Sequence, residues 1–218
     1  MARGGGVLRF ARTAWKAFCY TLGALAIAVL AVQLWFFAHV LWWRSFQPEA
    51  SAFMDARIER LRAKDPKARL AHQWVPYECI SAQLKRAVVA AEDAKFVDHE
   101  GFDWQAISKA IEKNERKGKV VSGASTISQQ LAKNLFLSGT RSWLRKGQEA
   151  VITWMLEATL GKRRILELYL NFAEWGEGVF GAQAAARHHF GIDAAALNAS
   201  QAAFLASPMR RPAVQSRG

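Results

Sequence analysis

Two short segments of the chain carry side chains that suit chemistry on a phosphorylated sugar. Residues 90–96 place Glu92 directly after small apolar residues. Residues 123–134 form a dense polar stretch that ends close to the cation Lys133. A carboxylate can take a proton from a hydroxyl group, and a cation can bind phosphate oxygens. Together the two segments predict general-base chemistry beside an anionic group.

Glu92 is the acid of the first segment, and the four residues before it, 88–91, are Val or Ala. Apolar surroundings disfavour the ionised form of an acid, which suits a group that takes up and releases protons. The competing interpretation is a solvated glutamate on a helix face, and these residues alone leave both open. Asp93 suits a helix cap or a salt bridge. His99, in a turn marked by Gly101, suits a hydrogen-bonded structural role.

Hydroxyl and amide side chains crowd the predicted helix start in the second segment. Free backbone N–H groups and the helix dipole attract anions at such a position. Lys133 lies four residues after Gln129 and therefore on the same helix face. The alternative is a heavily capped helix with a polar exposed face, although one cap requires fewer polar residues. The polar side chains are those of Ser125, Thr126, Ser128, Gln129 and Gln130.

A third group of charges follows, in which Arg141, Arg145 and Lys146 surround Glu149. Arg145 and Glu149 are four residues apart, so their side chains can meet on one helix face. Three cations around one acid suit the binding of a pyrophosphate. The alternative is an ordinary salt-bridge ladder on an exposed helix.

Apolar residues recur mostly at helical spacing, which predicts a mainly α domain. Asp103 is a predicted N-cap, and Thr126 with Gln129 forms a predicted capping box. Gly161, Gly191 and Pro208 are predicted to end helices. The predicted helices cover residues 51–64, 78–96, 103–117, 126–137, 142–160, 162–172, 182–190 and 200–206.

The N-terminal region contains an apolar run, residues 17–43, with no charged side chain except a protonatable His39. About 20 apolar residues suffice to cross the hydrocarbon layer, so this run predicts a transmembrane helix. Trp15 and Trp42 lie near its ends, where aromatic rings favour the headgroup zones. A cleaved signal peptide is the alternative, but its apolar region spans only about 7 to 15 residues.

Basic residues before the apolar run predict the orientation. Arg3, Arg9, Arg12 and Lys16 precede it and no acidic residue occurs before Glu49, so the N-terminus should be cytoplasmic and the remaining domain outside. The net charge of +12 beside a membrane favours anionic lipid or a phosphorylated substrate. Nucleic acid is not an expected partner, because zinc spacings and basic-aromatic motifs are absent from the sequence.

Four motifs in order resemble those of the family 51 peptidoglycan glycosyltransferases. The match covers about residues 75–212, and four ordered motifs are far more specific than any one of them. A single span without room for a transpeptidase domain fits a monofunctional member of that family. The motifs are EDAKF at 92–96 with His99 and Gly101, GASTISQQLAKN at 123–134, RKGQE at 145–149, and KRRILELYLN at 162–171.

The resemblance implies a lysozyme-like helical fold and an enzyme that polymerises lipid II with inversion and releases undecaprenyl pyrophosphate. It implies that Glu92 is the general base and Glu149 the second required carboxylate. The substrate-binding residues it implies are Ser125, Thr126, Gln129, Gln130, Lys133, Asn134, Arg141, Arg145 and Lys146. The residues it implies as structural support are Asp93, Phe96, His99, Gly101, Glu167 and Asn171.

The resemblance also implies a setting and partners. The enzyme would lie in the bacterial inner membrane with its catalytic domain in the periplasm. Its partners would be lipid II, the growing glycan chain, the bilayer, and other cell-wall synthesis or division proteins. No cofactor is expected beyond a Mg or Mn ion bound with the pyrophosphate. The implied parts are a basic N-terminus (1–16), the transmembrane helix (17–43), a helical connector (44–74) and the glycosyltransferase domain (75–218).

Two other functions remain open from the sequence. One is a membrane-anchored, lysozyme-like enzyme that cleaves finished peptidoglycan, which would also use two carboxylates. The cationic residues argue against it, since cleavage of the polymer has no pyrophosphate to neutralise. The other is a non-enzymatic scaffold of the cell envelope.

Overall fold

Helices account for most of the chain, which confirms the predicted mainly α fold with a single N-terminal apolar helix. The computed structural model describes residues 4–119, 123–137 and 142–209. Within these ranges, nine α-helices follow one another: α1 (Gly4–Trp42), α2 (Ala52–Arg62), α3 (Ala82–Glu92), α4 (Trp104–Lys117), α5 (Ile127–Phe136), α6 (Trp143–Thr159), α7 (Lys162–Phe172), α8 (Ala182–Phe190) and α9 (Ala199–Met209).

A small sheet accompanies the helices. Its strands are β1 (Ala71–His72), β2 (Glu174–Gly176) and β3 (Val179–Phe180). The order is β1-β3-β2, with β1 parallel and β2 antiparallel to β3. The sequence analysis did not predict this sheet, because strands of two or three residues are too short to show alternating polarity.

Several helix ends lie where the sequence predicts them. The Asp103 side chain accepts a hydrogen bond from the Ala106 N–H at the start of α4. Thr126 and Gln129 form the predicted capping box at the start of α5. Gly191 ends α8 in the left-handed conformation, with φ of 68°. Local capping chemistry therefore fixes these boundaries.

The predicted helix 78–96 is wrong at both ends. Residues Tyr77–Cys79 form a separate 3-10 turn, and α3 begins only after Ser81, whose hydroxyl caps it. The helix ends at Glu92, because Asp93 adopts φ of −160° and ψ of 75° and its carboxylate is bound elsewhere. Glu92 is consequently the last residue of its helix.

Helix α6 ends within one residue of the predicted Leu160, but Gly161 is no left-handed cap; its φ is −72° and it is the N-cap of α7. The predicted stop at Pro208 is wrong. The last helix continues past Pro208 to Met209. Proline lacks the N–H that would bond the Phe204 carbonyl one turn earlier, and the Ser207 hydroxyl donates to that carbonyl at 3.0 Å instead.

The core is arranged around α5, which packs against α2, α6 and α7. The buried apolar residues Ile127, Leu131, Ala132 and Leu135 recur at helical spacing along one stripe of α5. The opposite ends of the fold are joined where α3 packs on α9. The polar residues of α5 are therefore held in place by the burial of its apolar stripe.

Helix α1 is long and apolar enough to cross a membrane over Phe10–Trp42, judged by length and composition. Its C-terminal part contacts the rest of the molecule. The Phe136 ring lies against Trp35, Phe36 and Trp43, with ring centroids 6.4, 5.2 and 4.7 Å apart. Arg164 also donates a hydrogen bond to the Trp43 carbonyl at 2.9 Å. The end of α1 is thus attached to α5 and α7.

Gln33 of α1 and Gln148 of α6 form a reciprocal amide pair. Each Nε2 donates to the other residue's Oε1, at 2.8 and 3.0 Å. We expect Gln148→Leu alone to cost about 1 to 3 kcal/mol of unfolding free energy, because the Gln33 amide loses its partner. The double replacement Gln33→Leu with Gln148→Leu should be nearly neutral, since two apolar side chains can pack in place of the pair.

Thermal unfolding of wild type, Gln33→Leu, Gln148→Leu and the double variant in the same detergent micelle measures this coupling. Val151→Leu, an exposed change on the same helix, serves as the control. Losses that simply add in the double variant would contradict a specific pair.

Candidate active site

Glu92 lies at the end of α3 with its two carboxylate oxygens in different surroundings. The Gln130 Nε2 donates to Glu92 Oε2 at 2.8 Å. The other oxygen, Oε1, is buried and has no hydrogen-bond partner among the described residues. A buried acceptor without a partner costs free energy, and such atoms call for a functional explanation. This burial does not fit the alternative of a solvated glutamate.

Tyr169 of α7 stands behind Gln130. Its hydroxyl donates to Gln130 Oε1 at 3.1 Å, and the residue is only 1% exposed. Burial, followed by the neighbouring carboxylates Glu92 and Asp93, raises the pKa of Tyr169 well above its ordinary value. The phenol therefore stays protonated and remains a hydrogen-bond donor.

Asp93 joins the end of α3 to the start of α5. Its carboxylate accepts from His99 Nε2 at 2.9 and 3.0 Å and from the Ile127 N–H at 3.0 Å. The Gly101 N–H donates to His99 Nδ1, so the proton of this imidazole lies on Nε2. The Thr126 hydroxyl donates to the Gly101 carbonyl at 2.7 Å. These bonds fix where Glu92 stands relative to α5.

Side chains of the protein take several backbone N–H groups at the start of α5, where the sequence predicts an anion site. Asp93 takes the Ile127 N–H, and the Thr126 hydroxyl takes the Gln129 N–H. Thr126 and Gln129, predicted to bind substrate, are buried and cap the helix. Their binding of substrate stays a prediction. Ser125 is exposed, whereas Asn134 is buried.

A second buried carboxylate, Glu157 of α6, braces the same region. Ser128 donates its hydroxyl proton to Glu157 Oε1 at 2.5 Å, and Lys162 Nζ donates to it at 2.7 Å. Lys162 also bonds the His99 carbonyl at 2.5 Å and lies 4.7 Å from the centroid of the Phe96 ring. The Asp93 and Glu157 networks therefore share His99 and Lys162 as a common link.

Gly101 lies where only glycine fits. Its φ is 90°, and an added Cβ would come within 2.9 Å of Thr153 Cγ2 and 3.1 Å of Glu157 Cγ. The turn that carries His99 can therefore approach α6 closely. Phe96, also predicted as support, is buried, and its ring centroid lies 6.4 Å from that of His99.

Asn171 and Glu167, the remaining predicted support residues, hold an extended segment against α7. The Asn171 amide exchanges two hydrogen bonds with the Val75 backbone, at 2.9 and 3.0 Å. Glu167 accepts from the Tyr77 N–H at 2.8 Å and from Arg164 at 2.6 Å. Both side chains are therefore occupied with backbone and ion-pair contacts.

Glu149 of α6 is a buried acid, 4% exposed, between two cations. Its Oε1 accepts a hydrogen bond from Lys146, and its Oε2 lies 3.7 Å from Arg145 Nη1. The Arg145 Nε is buried without a hydrogen-bond partner in the described part of the chain. Arg141, the third predicted cation, lies outside the described residues. The buried acid distinguishes this group from a solvated salt-bridge ladder.

Helix α5 contacts the elements that carry the acid and the cations. Gln130, which bonds Glu92, and the half-buried Lys133 lie one turn apart on it. The same helix packs against α6, which carries Arg145, Lys146 and Glu149.

The arrangement does not suit a resident metal ion. Among residues 4–119, 123–137 and 142–209, no group of three or more His, Cys, Asp and Glu side chains could hold one. Glu149 is a single carboxylate that already pairs with two cations, whereas hard divalent ions take several oxygen ligands.

Comparison with known proteins identifies the family. A family model described as transglycosylase matches residues 58–217. The chain belongs to the transglycosylase family. It is 58% identical over 92% of its length to the biosynthetic peptidoglycan transglycosylase of Azoarcus sp. (strain BH72), covering 87% of that protein. The protein of that name from Methylobacillus flagellatus is 59% identical, with 87% and 84% covered. The resemblance drawn from the four motifs is confirmed.

The transglycosylase site contains residues that the sequence analysis did not single out. Tyr169 and Lys162 lie within the fourth motif, but Tyr169 bonds Gln130, 39 residues earlier, and Lys162 bonds the His99 carbonyl, 63 residues earlier. Glu157 lies outside the motifs, and only its position eight residues after Glu149 hinted at a second inward-facing acid on α6.

Proposed function

We propose that this transglycosylase polymerises lipid II into linear peptidoglycan strands and releases undecaprenyl pyrophosphate. The observation that carries the proposal is Glu92, with one oxygen bonded by Gln130 and the other buried without a recorded hydrogen-bond partner, beside a helix that bears Lys133. The printed names of the relatives, biosynthetic peptidoglycan transglycosylases, support the choice of polymer.

Glu92 would act as the general base. Its carboxylate takes the proton from the 4-hydroxyl of the acceptor sugar, and that oxygen attacks the anomeric carbon of the donor. The bond from this carbon to the pyrophosphate oxygen breaks, and the lipid pyrophosphate leaves with the electron pair. Attack opposite the leaving group inverts the anomeric configuration. The Gln130 hydrogen bond keeps the carboxylate in one position during the transfer.

The cations would stabilise the leaving group. Negative charge develops on the pyrophosphate as the glycosidic bond breaks, so fixed cations favour the transition state over the ground state. Lys133 and Arg141 would bind the phosphates, with Arg145 and Lys146 held nearby by Glu149. A Mg or Mn ion would arrive bound to the substrate pyrophosphate, and no step above depends on it.

The membrane setting is proposed on two features. α1 is apolar over Phe10–Trp42 with Arg12 and Lys16 near its start, which favours a single pass with the N-terminus in the cytoplasm. Helix α6, bonded to α1 through Gln148, exposes Trp143 (93%), Leu144 (87%) and Trp154 (64%). Such a surface suits the outer headgroup layer of the inner membrane.

The proposal divides the chain into a basic N-terminus (1–16), a transmembrane helix (17–43), a helical connector (44–74) and a glycosyltransferase domain (75–218). Under it, the catalytic part lies in the periplasm, where lipid II and the growing glycan chain would be met at the bilayer. Contact with other cell-wall synthesis or division proteins remains a prediction.

Incubation of the full chain with purified lipid II in detergent or vesicles tests the function. We expect lipid II to disappear while glycan chains of increasing length form, because the site has both a base and cations for the leaving group. Clearing of preformed peptidoglycan without consumption of lipid II would overturn the proposal and favour a cleaving enzyme. Absence of both activities would favour a scaffold.

A further inference from the structure

A buried tyrosine is linked to the proposed base by a chain of two hydrogen bonds. The Tyr169 hydroxyl donates to Gln130 Oε1 at 3.1 Å, and Gln130 Nε2 donates to Glu92 Oε2 at 2.8 Å. We infer that Tyr169 is a positioning residue for Glu92, acting through the orientation of the Gln130 amide. This inference rests on the proposed function, in which Glu92 is the base.

The direction of the chain follows from the chemistry of its members. An amide offers an acceptor at one end and donors at the other, whereas a phenol can both donate and accept and an ionised carboxylate can only accept. With Oε1 toward Tyr169, Nε2 faces the carboxylate. The reversed amide would set Oε1 of Gln130 against the acceptor oxygen of Glu92. The reversed amide would also leave the buried Tyr169 O–H without its recorded acceptor, so the phenol adds to the preference for the orientation that supports an ionised Glu92.

Burial makes this selection strong. Tyr169 is inside the core, and Gln130 Oε1 is the acceptor recorded for its hydroxyl among the described residues. Hydrogen bonds of this kind are stronger in a low-dielectric interior than in water, and chains of them reinforce one another. Removing the hydroxyl would free the amide to turn and would weaken the bond to the ionised carboxylate.

A purely structural tyrosine would behave differently. If the ring only filled the core, then Tyr169→Phe, which keeps the ring, would leave catalysis unchanged apart from stability. A positioning role instead predicts a change in how the rate depends on pH. The pH profile thus separates the two.

The experiment compares wild type and Tyr169→Phe in lipid II polymerisation across a range of pH. We expect the acid side of the kcat profile to move upward by about one pH unit, a tenfold change in the proton affinity of the base. The rate on that side should fall about tenfold, while KM for lipid II changes less than about twofold. Tyr77→Phe is the matched control, because its ring lies against Lys85 and Arg163 instead of the base.

A second variant keeps the test decisive if Tyr169→Phe folds poorly. Gln130→Met removes both hydrogen bonds at similar volume and should shift the acid side in the same direction. The double variant should shift it no further than Gln130→Met alone, because both changes interrupt one chain. Thermal unfolding of each variant separates lost structure from lost orientation.

Unshifted profiles in both folded variants, with Glu92→Gln inactive, would overturn the inference and leave the proposed function standing. A wild-type protein that fails to polymerise lipid II would instead count against the proposed function itself.

Discussion

Glu92→Gln should abolish polymerisation of lipid II and leave the fold intact. The amide keeps the size and shape of the side chain but cannot take a proton from the acceptor hydroxyl. General-base catalysis contributes about 10² to 10⁴-fold, and we expect the loss to lie at the upper end, because no other acid is recorded within hydrogen-bonding distance of Gln130 among the described residues. Gel analysis of labelled glycan chains measures the rate, and thermal unfolding checks the fold.

The matched control for this variant is Glu100→Gln, which neutralises an exposed glutamate eight residues later. It should retain wild-type activity, since surface substitutions usually have small effects. Activity of Glu92→Gln within tenfold of wild type would remove Glu92 from the role of base.

Lys133→Ala should lower the use of the lipid pyrophosphate donor by about 10² to 10³-fold, the usual loss when one preorganised stabilising group is removed. The cation would act on charge that develops on the leaving group, so kcat/KM for lipid II should fall far more than thermal stability. Arg141→Ala is expected to act in the same direction, an expectation that rests on the sequence alone. Steady-state kinetics with lipid II as the varied substrate measure both.

Lys109→Ala, which removes an exposed cation on α4, is the control for charge alone. Lys133→Arg should recover part of the lost rate, because it restores the positive charge with a different shape. Donor kinetics equal to those of wild type in Lys133→Ala would exclude it from the pyrophosphate site.

The features that the sequence predicts correctly are those with local causes. Asp103 and the pair Thr126 and Gln129 cap helices within one turn of themselves, so their residue types alone indicate the boundaries. The four motifs identify the family because their order and spacing are specific.

The features that the sequence does not predict have distant causes. Helix α3 ends at Glu92 because Asp93 bonds Ile127, 34 residues later in the chain. The partner of Gln130 behind the site is Tyr169, 39 residues further on. The spacing of apolar residues along the sequence gives no sign of such distant hydrogen-bonded pairs.

The two adjacent glutamines of α5 illustrate the same limit. Successive residues of an α-helix point about 100° apart. Gln129 therefore turns back to cap the helix, while Gln130 turns toward Glu92. Both are predicted from the sequence to bind substrate, and only the structure shows that their hydrogen-bond partners differ.

The contacts between α1 and the rest of the molecule would affect how a lipid-linked sugar reaches the site. The Phe136 ring, the Arg164 guanidinium and the Gln148 amide contact α1 or the residue that follows it. If α1 crosses the membrane as proposed, these contacts would hold Glu92 at a fixed height above the bilayer. A substrate tethered by its own tail keeps its sugar at a constant depth as well. The enzyme and its lipid-linked substrate would then meet by diffusion in the plane of the membrane, and the growing strand would move past a site of fixed height.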